Sequence, residues 1–478
     1  TGQVPTFMIG NDAFQEADIV SITAPITKAS ILVERVGQIP EVVRRAFALA
    51  SSNRGGPVLI DIPKDVQQHY PRQPDGHYAP PRVPAVIDPP EANIEGIPEA
   101  QLTQCVRMLS EAKRLVIYAG GGIVSSNTEK ALLALVEKLQ CPVTTTIMGL
   151  GAIPPDHPLW LQVLGMHGSY AANYAVNEAD LVIALGVRFD DRVTGDVNRF
   201  IRNGQIIHID IDRREINKNK TVTLGVTADL HVALPQLLAA CESGDWGEWC
   251  EHLDALKQRY PLSVEPAEHL TGAGVISRLS ALTDGEALVT LGVGQHQMWA
   301  MQHYAVARHR SFLSSSGFGT MGYGLPAAIG AKVGCPDRLV VDIDGDGSLN
   351  MTIHELSTCR RYGIGVKIVC INNQWLGMVR QWQDMIYDGN RACSSLSDPM
   401  AVKSVDESDI YPDFVTIAAG YRVTAERVTT ADDFETACER MLKDPNEPYL
   451  LDVIVAREDN VYPMVPAGGA YEDMILSK

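Results

Sequence analysis

The residues whose types and spacing most clearly do chemistry are Gly345-Asp346-Gly347 and, one apolar run later, Asn372-Asn373. Each group follows a continuously apolar stretch, residues 339–343 and 366–371, of the kind that forms strands buried on both faces. In open α/β sheets, ligands collect at the carboxyl ends of such strands. Magnesium takes octahedral oxygen ligands, one or two from the protein and others from phosphates and water. Asp346 and the Asn373 side-chain oxygen, joined by the Trp375 carbonyl, suit that task. The glycines let backbone approach a diphosphate, and Ser348 opens the next helix, where free N–H groups favour anions. The expected ligand is a magnesium diphosphate.

Two rival readings fail. Asp342, Asp344, Asp346 and Gly347 fall at positions 1, 3, 5 and 6 of a calcium loop, but position 12 is Ile353 instead of Glu. A strand also precedes the loop where an EF-hand needs a helix. Gly317-Phe318-Gly319-Thr320-Met321-Gly322 matches the dinucleotide fingerprint, with Asp342 about twenty residues on. It runs directly to the Gly-Asp-Gly strand, so one sheet would hold two competing phosphate sites. These glycines are read as close backbone approach to a different ligand, and a nicotinamide site is rejected.

Other groups stand at strand ends. Gly120-Gly121-Gly122, residues 186–192 and residues 208–212 suggest a second, nucleotide-like ligand in the middle of the chain, where an acid ending a strand can reach a ribose. Gln295-His296 could donate to phosphate oxygens. On residue type alone, Met378 and Trp382 read as core, and Arg380 as a contact for a carboxylate.

Positioning these groups requires strands. Apolar runs recur at 57–62, 114–118, 142–147, 181–186, 206–211, 287–291, 339–343, 366–371 and 449–455. Stretches 129–139 and 353–361 supply crossover helices, and 325–332 a further helix. The class is α/β, built from doubly wound parallel-sheet domains. Residues 70–98 are dense in proline and read as an extended linker; 241–266 read as a second, more helical connection.

The totals narrow the function. The chain has 478 residues and a net charge of −18, which argues against binding a nucleic-acid backbone. No apolar run is long enough to span a membrane. Anionic substrates would need local positive groups. Nine cysteines, odd in number and without a C-x-x-C pair, fit a reduced compartment better than a disulfide framework. The opening Thr1-Gly2-Gln3, without Met or a leader pattern, looks like a cut.

With these residues in view, the chain resembles the catalytic large subunit of acetohydroxyacid synthase (acetolactate synthase), a thiamine-diphosphate enzyme. The resemblance rests on residues 1–5, 8–16, 57–64, 148–151, 164–168, 186–194, 294–299, 319–330, 376–382 and 461–469, together with the Gly-Asp-Gly and Asn-Asn pair. Residues 13–16, 188–192 and 376–382 look near-specific to the family. It implies decarboxylation of pyruvate and transfer of the hydroxyethyl unit to pyruvate or 2-oxobutyrate, early in branched-chain amino-acid synthesis. The nearest rivals, pyruvate oxidase and glyoxylate carboligase, are disfavoured because Arg192 and Trp382 would serve a second keto acid.

The roles the resemblance implies are these. Asp346, Asn373 and the Trp375 carbonyl hold Mg²⁺. Val293, Gly294, Gln295, His296, Gly319, Met321, Gly347, Ser348, Asn373 and Met378 hold thiamine diphosphate, with Gln15, Met321 and Met378 as catalytic residues. FAD, bound without net redox, meets Arg54, Gly121, Gly122, Thr146, Ile147, Leu164, His167, Gly186, Arg188, Asp210 and Asp229. Arg192 binds the second substrate's carboxylate, a bidentate task suited to guanidinium. Trp382 shapes the acceptor pocket, and Phe14 and Lys64 line the channel with Gln15 from a neighbouring subunit.

The implied layout is a remnant of a pyrimidine-binding domain (1–69), a linker (70–99), an FAD domain (100–240), a second linker (241–266), a thiamine-diphosphate domain (267–456) and a tail (457–478). The implied assembly is a homodimer or homotetramer, with room for a small regulatory subunit. The compartment is cytoplasmic, or the plastid in a plant or alga. The family's activating Glu belongs to a segment preceding residue 1, and His354-Glu355 sits on the wrong helix to replace it. The expectation is that the chain alone is inactive.

Overall fold

The computed structural model describes residues 1–69, 95–264, 267, 269–397 and 411–477. The proline-rich stretch lies almost wholly outside them; Glu99, its expected last residue, already opens the helix Glu99–Glu111. Two compact units result, Thr1–Glu95 and Gly96–Lys478.

The first unit holds a parallel sheet of β1 (Gly2–Gln3), β2 (Ala29–Leu32) and β3 (Val58–Pro63), in the order β1-β3-β2. The second holds two six-stranded sheets, parallel at every pairing. Its middle sheet comprises β4 (Leu115–Ala119), β5 (Val143–Thr145), β6 (Trp160–Val163), β7 (Leu181–Leu185), β8 (Gln205–Asp210) and β9 (Leu224–Thr227). Their order is β6-β5-β4-β7-β8-β9, so the winding reverses between β4 and β7. The C-terminal sheet comprises β10 (Leu288–Leu291), β11 (Phe312–Ser314), β12 (Val340–Gly345), β13 (Lys367–Asn372), β14 (Thr424–Val428) and β15 (Tyr449–Ile454). Here the order is β11-β10-β12-β13-β15-β14, and the reversal falls between β10 and β12.

Central strands are largely apolar because helices cover both faces, with Asp342, Asp344, Lys367 and Asp452 as buried exceptions. In the C-terminal sheet, Val341, Ile343, Val369 and Ile371 join one core, while Val340, Ile368 and Cys370 join the core on the other face. Each such side chain contributes about 1.5–3 kcal/mol on burial. The expected crossover Glu129–Leu139 is a helix; the stretch after the Gly-Asp-Gly turn splits into a short 3-10 turn, Ile353–Glu355, and the helix Leu356–Tyr362. The expected connector 241–266 carries the helix Gly247–Arg259, whose Trp249 and Leu253 enter the middle-sheet core. Trp249 also donates to the Leu115 carbonyl at 3.3 Å. All nine cysteines are free thiols.

After β15 the chain returns over the middle sheet's loops. Val465 donates to the Met166 carbonyl (2.8 Å), Asp196 to that of Gly469 (2.8 Å), and Arg199 pairs with Asp473 (2.6 Å). Among the described residues, no helix is long and apolar enough to cross a membrane.

Candidate active site

Parallel sheets place ligands where the winding reverses, since the loops there diverge to opposite faces and leave a crevice. At the β10/β12 reversal, three strand ends converge. After β10 the chain passes through Val293 and Gly294 into the helix Gln295–His303; after β12 it enters Asp346–Asn350; after β13 it turns through Asn373 and Trp375. A pocket there is lined by Val293, Gly294, Gln295, His296, Met321, Gly347, Ser348, Asn373 and Met378, along with Asp346 and Trp375. Of the residues expected to hold the thiamine cofactor, Gly319 alone lies off this lining. Trp299, Gly345, Ile371, Leu376, Gly377 and Val379 complete it. Their signal in the sequence was adjacency to residues already singled out.

The donor set fits a divalent cation carrying a diphosphate. Asp346 is buried and accepts from the N–H groups of Gly347 (2.8 Å) and Gln374 (2.6 Å). Burial pushes its carboxyl up to about 7, because no Lys or Arg among the described residues offsets the charge. A cation would remove that penalty. Asn373 stands beside it, its Oδ1 accepting from the Trp375 N–H at 3.0 Å. Among the described residues no cluster of three His, Cys, Asp or Glu could hold a metal; this site combines one carboxylate, one amide and one carbonyl, leaving positions for phosphate oxygens. The first turn of Gln295–His303 faces the pocket with N–H groups that favour an anion.

Supporting residues fix these groups. Asn372 donates to buried Asp452 (2.8 Å) and accepts from the Gln374 N–H (3.2 Å), holding the turn in which Gln374 adopts φ +59°. Arg427 anchors Asp452 at 3.0 Å. Asp342 and Asp344, the false calcium-loop positions, lie fully buried on β12; Thr290 donates to Asp342 at 3.0 Å. Burial keeps His296 neutral, pulling it down to about 3. A side chain at Gly345 would strike the His296 ring at 2.6 Å, so only glycine fits there. The fingerprint glycines follow the edge strand β11 and run up to the reversal pocket, where Gly322 donates to Ser348 Oγ at 2.9 Å.

The middle sheet reverses its winding between β4 and β7. Gly121 and Gly122 follow β4, and Gly186 and Arg188 follow β7. Thr146 and Ile147 follow β5, Leu164 and His167 follow β6, Asp210 ends β8, and Asp229 caps the helix after β9. All these expected FAD contacts therefore lie at the carboxyl edge of one sheet. A Cβ at Gly122 would sit 2.6 Å from the Gly186 Cα, so the two loops meet backbone to backbone. His167 donates from Nδ1 to the Pro463 carbonyl (3.0 Å), since a carbonyl can only accept; its buried Nε2 has no partner among the described residues.

Arg192, on the short helix Asp191–Thr194, places its guanidinium 5.8 Å from the centre of the Trp382 ring. Trp382 comes from the helix Gly377–Ile386, which also carries Met378 into the cofactor pocket. Arg192 pairs with Asp191 at 3.1 Å, with both side chains largely exposed, so the charge stays available to a ligand. Arg380, read from the sequence as a contact for a carboxylate, meets one inside the protein. It is 1% exposed and bonded to Asp384, Asn460 and the carbonyls of Glu458 and Asp459. The charge of a mid-helix arginine is explained there by interior partners, which a sequence does not display.

Four expected site residues belong to the first unit. Phe14 is 88% exposed, Gln15 adopts φ +66°, Lys64 opens the helix Lys64–Gln68, and Arg54 is exposed beyond the helix Ile39–Ser51.

Two doubly wound sheets, with a pocket at the β10/β12 reversal that offers the buried Asp346 carboxylate and the Asn373 amide, are the arrangement of a thiamine-diphosphate enzyme. Family models agree: residues 102–237 match the thiamine pyrophosphate enzyme central domain, and 292–453 match the C-terminal TPP binding domain. The chain is 48% identical to acetolactate synthase 1, chloroplastic, of Zea mays, over the whole of this chain and 74% of that protein. It is 48% identical to acetolactate synthase 1, chloroplastic, of Oryza sativa subsp. japonica, and 46% identical to the chloroplastic acetolactate synthase of Arabidopsis thaliana, covering 73% and 70% of them. The chain belongs to the acetolactate synthase family.

Proposed function

We propose that the holoenzyme built on this chain performs the family's carboligation, decarboxylating pyruvate and joining the two-carbon unit to pyruvate or 2-oxobutyrate. The observation that carries this reading is the Arg192–Trp382 pair, a cation and an aromatic wall brought together by elements on different sheets. A decarboxylase needs no such second site, whereas a carboligase must hold an acceptor.

Thiamine diphosphate, when bound, supplies the carbanion chemistry. The chain's residues do the rest. Asp346, Asn373 and the Trp375 carbonyl hold Mg²⁺, while the N–H groups opening Gln295–His303 receive phosphate oxygens. Met321 and Met378 wall the pocket apolarly and exclude water. Arg192 binds the acceptor's carboxylate, and Trp382 sets the space beside its alkyl group. FAD would lie along the carboxyl edge of the middle sheet, held by the loops after β4 and β7, with Asp210 reaching a ribose hydroxyl. Phe14, Gln15 and Lys64 would line the substrate channel across a homodimer. The chloroplastic names of the plant relatives favour a plastid setting.

The test is steady-state kinetics of the holoenzyme with Arg192→Ala and Arg192→Lys. Losing a charge-assisted contact costs about 1.5–3 kcal/mol, roughly 10–150-fold in kcat/KM for the acceptor. Decarboxylation should persist in both variants, with lysine recovering only part of the loss. An enzyme that turns pyruvate solely into acetaldehyde or acetyl phosphate would overturn the reading.

A further inference from the structure

An asparagine offers a metal ion one usable atom, its Oδ1; turned over, it presents N–H groups instead. Asn373 lies at a strand end that does not by itself choose between the two. The choice is made by side-chain amides behind the site. Gln381, fully buried, accepts from the N–H of Val461 (2.8 Å) and donates to the carbonyl of the same residue (3.1 Å). Backbone donor and acceptor cannot be exchanged, so Gln381 has a single orientation. Its Oε1 faces Gln295, which donates to it at 2.8 Å and to the Asp459 carbonyl at 2.9 Å. Two acceptors together hold the Gln295 amino group, turning its Oε1 the other way. That Oε1 accepts from Asn373 Nδ2 at 3.1 Å, which leaves Asn373 Oδ1 facing the Trp375 N–H with a lone pair to spare.

We propose that Gln381 is a positioning residue for the cation site. Through Gln295 it holds the Asn373 carbonyl oxygen toward the metal, and it makes cation affinity depend on the docking of Asp459 and Val461. A second observation bears on the same contact. A Cβ at Gly377 would lie 2.1 Å from Gln295 Oε1 and 2.7 Å from Asn373 Nδ2, so the relay fills space that only glycine leaves open. The side chain of Gln295 is thereby committed to Asn373, and what it gives a phosphate is its backbone N–H. The inference rests on the reading of Asp346 and Asn373 as Mg²⁺ ligands.

The experiment titrates Mg²⁺ into the chain with thiamine diphosphate and no substrate, read by calorimetry and by intrinsic tryptophan fluorescence, to which Trp299 and Trp375 of the pocket contribute. Gln381→Leu removes both polar ends at similar volume; Gly377→Ala leaves the Gln381–Val461 pair intact and breaks the next link. Both should weaken Mg²⁺ binding about 10–100-fold, as loss of supporting hydrogen bonds does. At saturating Mg²⁺, kcat of Gln381→Leu should stay within about threefold of the parent, a split that general damage would not produce. Gln381→Glu keeps the acceptor but sets an oxygen against the Val461 carbonyl, and should weaken binding as well. Parent-like Mg²⁺ affinity in Gln381→Leu, or in Gly377→Ala should the former not fold, overturns the inference alone. No Mg²⁺ binding by the parent overturns the magnesium reading and the inference with it.

Discussion

Replacing Arg380 by methionine separates a structural role from a substrate-binding one. The guanidinium donates from Nη1 to Asp384 (3.1 Å) and the Glu458 carbonyl (3.2 Å), and from Nη2 to the Asp459 carbonyl (2.6 Å) and Asn460 Oδ1 (2.9 Å). Not all of these partners are stranded by its loss. Asp384 keeps Arg391, which reaches both carboxylate oxygens at 2.6 and 3.0 Å, and the Asp459 carbonyl keeps Gln295. What remains unmet is the Glu458 carbonyl and Asn460 Oδ1. Each such group costs about 1–3 kcal/mol, and the methionine stem retains most of the packing. A net loss of about 3 kcal/mol follows, at the low end of the range for stripping a buried charge of its partner. At roughly 2–4 °C per kcal/mol for a domain of this size, the thermal midpoint of the C-terminal domain should fall about 6–12 °C in calorimetry. Below that transition, KM for pyruvate should stay within about threefold. A KM raised about 100-fold with an unmoved midpoint would refute this account and restore Arg380 as a carboxylate contact.

Trp382→Leu should widen the acceptor space and cut the preference for 2-oxobutyrate over pyruvate about tenfold, the scale of one methylene contact; an unchanged product ratio in a competition assay would show that Trp382 does not set specificity. His167 is held neutral by burial, its imidazole pulled down to about 4. The unfolded chain takes up that proton as pH falls below about 6.5, so the contribution is complete above 6.5 and is lost as pH falls toward 4. His167→Gln can keep a donor for the Pro463 carbonyl without titrating. Its thermal midpoint should match the parent at pH 7.5 and exceed it at pH 5, and parallel curves would exclude the mechanism.

The strands that sequence reading found and those it missed divide by position in the sheets. Each expected run occurs as an interior strand: β3, β4, β5, β7, β8, β10, β12, β13 and β15. Their limits shift by one or two residues, as such boundaries do. The unanticipated strands β1, β2, β6, β9, β11 and β14 are all sheet edges. An interior strand of a parallel sheet is covered on both faces and is mostly apolar along its length, whereas an edge strand has no such requirement. Thr424–Val428 carries Glu426 and Arg427, and Gly2–Gln3 is too short to show any period.

The same asymmetry governs the site. Residues chosen by chemistry that a ligand imposes on a strand end, such as Asp346, Asn373 and Gly122, were legible because glycine and a lone polar residue stand out after an apolar run. Arg192 and Trp382 were reached only through family resemblance, since nothing local says that a helix after β7 and one after β13 will meet. Gln381 and Arg380 were opaque for a further reason. A buried polar side chain is specified by partners far along the chain, here residues 458–461, and the sequence shows the donor without the acceptor. Function at this site therefore depends on two kinds of residue with different legibility. Those facing the ligand carry their chemistry in their type, while those behind carry it in a hydrogen-bond inventory that exists only once β13, the helix Gly377–Ile386 and the returning tail are assembled.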